Sequence, residues 1–552
     1  MPHHPDHPAH GRTRSDVNYR HLLQARGLDQ PSTPATVTIR IPAETAALTR
    51  TQQLAWVLVT LLTRSTPAIV ERILIDCPAA VPLQPLVSPY PATDGTLLST
   101  LLLAQDLAGP DPSPIHGYLE LDGDPAPSDG QQLTFVLNAT TETTADEDHA
   151  VHAQWYVTGP GWQAEITRTP HSSNQPGQDE GLPFGPYIAA CLAAAQVYLR
   201  VRARDYQPAP VALDAWAWAV ADQAQTHGTT RPAPQTLPLR GPAPPTVTVA
   251  IDAVLAGVGA VGSACLLALW STPGLTGIVR AYDDDPDGIE FTNLNRCLPF
   301  TGQQVGHPKA PTAAAVLQRP GLEITGTLGA AEIGIDRATH LISAVDTPEA
   351  RGALQDRYPA SAIQASTRDL RLEVLRVDPS SGSACLRCYN PPRPAPSDDE
   401  LRAQLAGTDP SMTQQLASDL GISETDIQAW TRHGECGTVG DRMLAHLRAG
   451  TGHAAEFSVG FMSVLAGVLL AARAVQDATA GNTHTTETSA SDSTAGADTT
   501  ATVHPAVDRP RFVLNLLDPH TQSNGQRAYQ KDRKCPSCAG TRRDLWLQTW
   551  TG

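Results

Sequence analysis

The stretch that decides the fold begins Val247-Thr248-Val249-Ala250-Ile251, adds Val254-Leu255-Ala256, and turns into Gly257-Val258-Gly259-Ala260-Val261-Gly262-Ser263. An apolar run ending in spaced glycines reads as a strand, a tight turn and the start of a helix, here carried through Leu269. A second strand, Gly277 to Tyr282, leads into the acidic residues Asp283 to Asp287. Glycines let the backbone approach phosphates, a helix N-terminus faces the anion, and an acid at the next strand end can bind ribose hydroxyls. These glycines alone would also suit a nicotinamide dehydrogenase. The following residues decide between cofactors.

They read Asp285-Pro286-Asp287-Gly288-Ile289-Glu290-Phe291-Thr292-Asn293-Leu294-Asn295-Arg296, and then Gly306-His307-Pro308-Lys309. An Arg and a Lys after the acidic strand end suit the charge of a triphosphate. Further on, His340-Leu341-Ile342-Ser343-Ala344-Val345 reads as a buried strand ending in Asp346. A carboxylate at that end of a strand lies where open α/β sheets gather ligands, and it could hold a Mg²⁺ ion that bridges phosphates. Nicotinamide binding needs none of this.

Two Cys-x-x-Cys pairs, Cys385/Cys388 and Cys535/Cys538, stand far apart in the chain. In a reducing compartment such pairs read as a four-thiolate Zn²⁺ site. Of the remaining cysteines, Cys191 and Cys265 lie in apolar helical patterns and read as core thiols, while Cys77 has no obvious histidine partner.

In this order the residues resemble the ubiquitin-activating and ThiF/MoeB-type adenylyltransferases, over roughly 246–545. The pattern of that family is G-x-G-x-x-G, D-x-D-x-V-x-x-S-N-L-x-R, G-x-x-K and a strand ending in aspartate, framed in many members by two zinc pairs. This chain departs from it at Thr292, where Ser is usual, and at Cys297, where Gln commonly follows the Arg.

The resemblance implies an ATP site lined by Gly257, Gly259 and Gly262. It implies ribose contacts from Asp285 with Asp287 nearby, phosphate contacts from Asn293, Arg296 and Lys309, and Mg²⁺ on Asp346. Cys436, in Gly434-Glu435-Cys436-Gly437, falls in the crossover region where thioester- or persulfide-forming members carry their cysteine. The implied reaction is adenylation of the C-terminal carboxylate of a ubiquitin-like or sulfur-carrier protein. A peptide or tRNA-borne carboxylate is the alternative substrate. A non-catalytic nucleotide-binding scaffold and an NAD-dependent oxidoreductase are alternatives of another class.

The expected fold is α/β: a Rossmann-like ThiF/MoeB adenylation fold in the C-terminal half, preceded by a second, degenerate α/β domain. Residues 1–35 read as a disordered tail. In 36–225 a strand over Val37, Ile39 and Ile41, a helix from Glu44 to Leu62 and a strand at Ile73-Leu74-Ile75 make a βαβ unit without a glycine turn, so it is not expected to bind nucleotide. This region is either a degenerate adenylation half, giving an intrachain pseudo-dimer, or a substrate clamp; a homodimer is the other possible assembly. Arg20 is a faint echo of a family arginine that reaches across to the ATP of a partner half.

A Pro-rich linker spans 226–245. The active domain follows over 246–545, with a crossover insertion at 396–455 and a low-complexity loop expected to be disordered at 478–510. The net charge of −17 disfavours nucleic acid as a general partner. No uninterrupted apolar run suggests a membrane span and the N-terminus lacks a signal-peptide core, so the expected compartment is the cytoplasm.

Overall fold

The structure is a computed structural model. It describes residues 33–65, 69–107, 119–120, 132–139, 153–170, 181–202, 209–220, 249–335, 339–368, 370–377, 384–391, 459–487, 510–517, 524–527 and 529–540, with isolated positions between 414 and 428 and at 544 and 548. Arg20, Cys436 and the linker 226–245 lie outside the described residues.

In the first half, runs rich in β-branched and aliphatic residues form the strands. They are β1 (Ala35–Arg40), β2 (Val70–Asp76), β3 (Leu119–Glu120), β4 (Gln132–Leu137), β5 (Ala153–Thr158), β6 (Gln163–Thr167), β7 (Val211–Asp214) and β8 (Ala219–Val220). Helices α1 (Thr49–Thr63), α2 (Leu97–Leu107) and α3 (Phe184–Arg202) accompany them. The sheet order is β3-β2-β1-β4-β5-β6-β7-β8. Its first five strands pair in parallel and the rest antiparallel.

The second half contains β9 (Val249–Ala256), β10 (Leu275–Asp283), β11 (Leu322–Leu328), β12 (His340–Ser343), β13 (Ser361–Arg368), β14 (Arg371–Val377), β15 (Arg511–Asn515) and β16 (Gly525–Arg527). Its helices are α4 (Ala260–Ser271), α5 (Lys309–Val316), α6 (Pro348–Gln355), α7 (Leu386–Tyr389) and α8 (Gly460–Glu487). From Val249 onward, the apolar residues before Gly257 are one continuous strand, β9. Helix α8 runs into the segment expected to be a disordered loop at 478–510.

The second sheet runs β11-β10-β9-β12-β13-β14-β15-β16. Renumbered from its own first strand, this is the order of the first sheet, and again the first five strands are parallel and the rest antiparallel. The chain thus builds one topology twice.

The two α/β regions belong to one compact unit and share one continuous hydrophobic core. Residues 390–456 with Thr347–Glu349 make a second compact unit, of which few residues are described. The core is tight because its helices are rich in small residues. A Cβ at Gly467 of α8 would lie 2.4 Å from the Val261 carbonyl oxygen and 2.7 Å from Ala264 Cβ, so α8 presses directly on α4. Across the halves, Tyr187 and Ser271 hydroxyls hydrogen-bond at 2.6 Å, Tyr198 packs edge-on against Phe461, and Gln476 Nε2 donates to the carbonyls of Ala215 and Trp216. Among the described residues, two helical segments are long and apolar enough to cross a membrane, Phe184–Arg202 and Gly460–Thr479. They are 94% and 83% buried within the chain, as core helices are.

Candidate nucleotide site and cysteine cluster

The glycine turn between β9 and α4 is shaped by contact. Gly257 has φ +87°, which L side chains rarely adopt, and a Cβ there would sit 3.0 Å from the Ala344 carbonyl oxygen beyond β12. A Cβ on Gly262 would fall 1.9 Å from the Gly257 carbonyl oxygen. These two glycines fold the loop onto its own helix and the neighbouring strand. Gly259, the N-cap of α4, is different: a Cβ there would meet open space. The turn therefore leaves open ground beside a helix N-terminus, whose N–H groups and dipole favour an anion.

Beneath the turn lies Asp283, the last residue of β10. Its Oδ2 accepts the Val258 N–H at 2.6 Å and its Oδ1 accepts the Asp285 N–H at 3.2 Å. It is buried, and burial pushes its carboxyl up against the opposing pull of the Val258 N–H and the Lys309 charge. Read from sequence, Asp283 and Asp284 pass for a solvated turn; the structure leaves Asp284 exposed and puts Asp283 under the glycine loop. The one available signal was that Asp283 directly follows the last apolar strand residue.

Asp285 is ion-paired with Lys309. Burial raises the Asp285 carboxyl, but the Lys309 hydrogen bond and charge, with the Asp287 N–H, outweigh it and its pKa is lowered. The pairing is arranged by a short backbone ladder. Ile289 N–H donates to the His307 carbonyl at 2.9 Å and Gly306 N–H to the Ile289 carbonyl at 2.7 Å. A Cβ on Gly288 would collide with the His307 oxygen at 2.5 Å, so this close approach requires glycine. Lys309 then opens α5, almost fully buried. Asp287 is exposed, and its N–H donates to Asp285 Oδ1.

Asn293 closes the 3₁₀ turn Phe291–Asn293. Its side-chain oxygen accepts the Glu290 N–H at 3.1 Å, and its carbonyl accepts the N–H groups of Arg296 and Cys297. Arg296 is half-buried and donates to the Thr292 carbonyl at 2.8 Å and Asn295 Oδ1 at 3.1 Å. Asp346 is exposed just beyond Ala344, the residue that touches Gly257. The structure thus joins Gly257, Gly262, Asp283, Asp285 and Lys309 through direct contacts. It links the Asn293–Arg296 segment to them through the Ile289–His307 ladder.

The second group is a buried cluster of Cys385, Cys388, Cys535 and Cys538, with all four sulfurs within 4.8 Å of one another. The separations are 3.8 Å for Cys385–Cys388, 3.6 Å for Cys385–Cys535 and 3.4 Å for Cys388–Cys538. A tetrahedral zinc ion with Zn–S bonds of about 2.3 Å needs sulfurs roughly 3.8 Å apart, so the donor set and spacing fit Zn²⁺. The two pairs are clamped from outside. Arg387 donates to Ser537 Oγ at 2.8 Å and to Asp356 Oδ2 at 2.6 Å, and Ser537 Oγ donates back to Asp356 Oδ1. The ion would tie the start of α7 to the distant chain segment after β16.

Cys191 and Cys265 are fully buried, and burial pushes both thiols up, as expected of core residues. Cys297 is also buried, and burial raises its thiol against the pull of Arg296, Ser263, Lys309 and Arg64.

Residues 249–491 match the model of the ThiF family. The matched stretch is thus similar to the ThiF family over a little less than half of the chain. The match begins at the first residue of β9 and ends beyond α8, so it covers the glycine turn, Asp285, Lys309 and Asp346. An uncharacterised protein, y4jF, of Sinorhizobium fredii (strain NBRC 101917 / NGR234) is 27% identical over 280 residues, which is 50% of this chain and 48% of that one. The chain therefore spans about half the length of that curated relative. Among solved structures, the crystal structure of E. coli MccB with MccA-N7isoASN covers 52% of this chain and 67% of its own, at 12% identity and a TM-score of 0.34. That likeness is too loose to bear on substrate. The matched region gathers ligand-type side chains at the carboxyl ends of β9, β10 and β12, in the parallel part of its mixed sheet, where open α/β sheets bind ligands.

Proposed function

We propose that this chain uses ATP to adenylate a carboxylate, and that the carboxylate is the C-terminus of a ubiquitin-like or sulfur-carrier protein. The observation that carries the reading is the Asp285–Lys309 pair held beside the open ground at Gly259, with Asp346 at the adjoining strand end. A dehydrogenase has no use for a lysine and an arginine in these places. A nucleotide triphosphate does, because they offset the charge that develops as its α-phosphate is attacked.

In this reading a carboxylate oxygen of the substrate attacks the α-phosphorus. A phosphorus–oxygen bond forms, the α–β anhydride bond breaks, and pyrophosphate leaves with the electron pair; no proton moves. The turn around Gly259 receives phosphate, Asp285 takes the ribose hydroxyls, and Lys309 and Arg296 offset phosphate charge. Asn293 orients the segment that carries Arg296. Mg²⁺ bound at Asp346 would neutralise phosphate charge. Catalysis then comes from positioning and charge, and no side chain needs to become covalently attached.

If the pathway uses a thioester, the Cys436 thiolate would attack the acyl carbon of the adenylate, the carbon–sulfur bond forming as the acyl–oxygen bond to AMP breaks and AMP leaves. The first half serves as a non-catalytic pseudo-partner within the same chain, and the setting is cytoplasmic.

The test is ATP–pyrophosphate exchange with a carrier protein ending in Gly-Gly, and with the same carrier amidated at its C-terminus. Exchange is expected only with the free carboxylate. A chain that binds no ATP, or that exchanges label equally with the amidated carrier, sinks the proposal. Cys436→Ala should still support exchange while losing any reducible carrier adduct.

A further inference from the structure

One buried cation in the first half reaches into the nucleotide site of the second. Arg64 is the C-cap of α1. Its Nη1 donates to the carbonyls of Leu294 at 2.6 Å and Cys297 at 2.8 Å, and its Nη2 to those of Leu298 at 3.1 Å and Phe300 at 2.8 Å. The side chain is buried, and among the described residues no carboxylate pairs with it. Burial pulls the guanidinium down to about 10, so it stays charged at neutral pH.

A second side chain from the same half works alongside. Tyr90 donates to the Pro299 carbonyl at 2.6 Å and accepts from Gln304 Nε2 at 3.2 Å.

The carbonyls that converge on Arg64 belong to the segment that begins at Asn293 and includes Arg296. The Asn293 carbonyl is taken by the N–H groups of Arg296 and Cys297, so the chain coils tightly and turns its next carbonyls inward. Buried carbonyls without donors are costly, and helical capping is not available to so irregular a segment. A planar guanidinium spreads its donors over several acceptors at once; an ammonium offers a single point.

We propose that Arg64 is a positioning residue of the nucleotide site: the first half uses it to hold segment 293–300 so that Asn293 and Arg296 face the nucleotide. This rests on the ATP reading above. Arg64 acts through the backbone and touches no reacting atom.

The test uses the full chain with Mg·ATP as probe. ATP affinity is measured by calorimetry and amide hydrogen exchange is followed by segment, for wild type, Arg64→Lys, Arg64→Ala, and Arg64→Ala with added methylguanidinium. In both variants, affinity is expected to fall by on the order of 10²-fold, as a misplaced binding group does. Amides of 293–300 should exchange faster while β9 and β10 keep their protection, and methylguanidinium should restore both readouts in Arg64→Ala. Wild-type affinity in Arg64→Ala overturns the inference. So does a uniform loss of protection over both sheets with no rescue, which marks Arg64 as a plain structural tie. A wild-type chain that binds no ATP is a different failure: it removes the ATP reading itself and with it the role assigned to Arg64, whatever exchange shows.

Discussion

The two sheets share a strand order and differ at the ends of three strands. Arg40 pairs with Asp76 in the first half as Ala256 pairs with Tyr282 in the second. The next N–H donates alike in both, from Ile41 to the Asp76 carbonyl at 2.8 Å and from Gly257 to the Tyr282 carbonyl at 2.9 Å. This register sets Ile41 against Gly257, Pro42 against Val258 and Cys77 against Asp283. Proline has no N–H to give, and burial next to Asp76 pushes the Cys77 thiol up to about 11, so no anion stands there. Val136 pairs with Arg40 as Ser343 pairs with Ala256, so counting onward sets Ala139 against Asp346.

The turn after β1 is also filled. Gln52 Nε2 donates to the carbonyls of Ala46 and Pro82, and its Oε1 accepts the Gln84 N–H at 2.7 Å. A buried amide does in the first half what open ground does in the second. The difference shows that the apolar strands carry the topology, while a handful of residues at strand ends carry the chemistry, so the second can be absent where the first is intact.

Swapping the two strand-end residues gives the largest expected effects, and opposite ones. Asp346→Ala should lower adenylate formation by on the order of 10²-fold or more. It should leave the melting temperature unchanged, because the residue is exposed. Ala139→Asp should destabilise the chain by about 3 kcal/mol, because it buries an unpaired carboxylate, and should create no second ATP site. Exchange assays and denaturant melts read the first outcome, and calorimetric stoichiometry reads the second. Two nucleotides bound per chain would break the comparison.

Gly262→Ala comes next. The added methyl would overlap the Gly257 carbonyl oxygen, and something must move. A loss of about 1–3 kcal/mol is expected, typical of overpacking, with ATP affinity falling along with it. A variant as stable as wild type would mean the loop is softer than its contacts imply.

The acid pair below the turn predicts a pH signature of its own. Asp283 has a raised folded-state pKa, so over the range just above the ordinary 3.8 the native chain holds more protons than the unfolded one, and stability falls as pH rises. Asp285 has a lowered pKa, so its contribution is present above 3.8 and is lost as pH falls below it. Asp283→Asn should flatten the fall above 3.8 and leave the loss below it. Urea melts across the acid range check this; an unchanged slope above 3.8 would contradict the burial of Asp283.

Much of the second half was legible because its signals are local. Strand, glycine turn, helix and the spacing to Asn293, Arg296 and Lys309 all lie between the start of β9 and the start of α5, and buried parallel strands read as plain apolar runs. The zinc-type pairs were legible as pairs, but their meeting was not, since only the sheet brings Cys388 to Cys538. Asp283 was hidden by its neighbours: in a run of acids, sequence cannot say which one the strand end turns inward. Arg64 was invisible, because its partners are backbone carbonyls, which carry no side-chain signature. The length of α8 was misjudged because the Thr- and Ala-rich continuation reads as low complexity, while the helix, packed along its earlier turns against α3 and α4, runs on to Glu487.

The smallest effect probes whether the strand end of the first half is as silent as its residues suggest. Arg40 and Asp76 form an ion pair at 2.9 Å with side chains 42% and 56% exposed; in the second half Arg280 and Asp252 pair at 2.5 Å, 39% and 69% exposed. Both link neighbouring parallel strands, and both face water, which screens them. Each is worth about 0–1 kcal/mol at most and should weaken further in salt. Arg40→Ala should therefore shift the melt as little as Arg280→Ala does and leave ATP affinity untouched. Arg40, however, is the last residue of β1, the register counterpart of Ala256 beside the glycine turn. If its removal weakened ATP binding while Arg280→Ala did not, the first half would be acting on the nucleotide site from its own strand end, apart from the backbone hold of Arg64, and its description as the chemically silent copy would have to be abandoned.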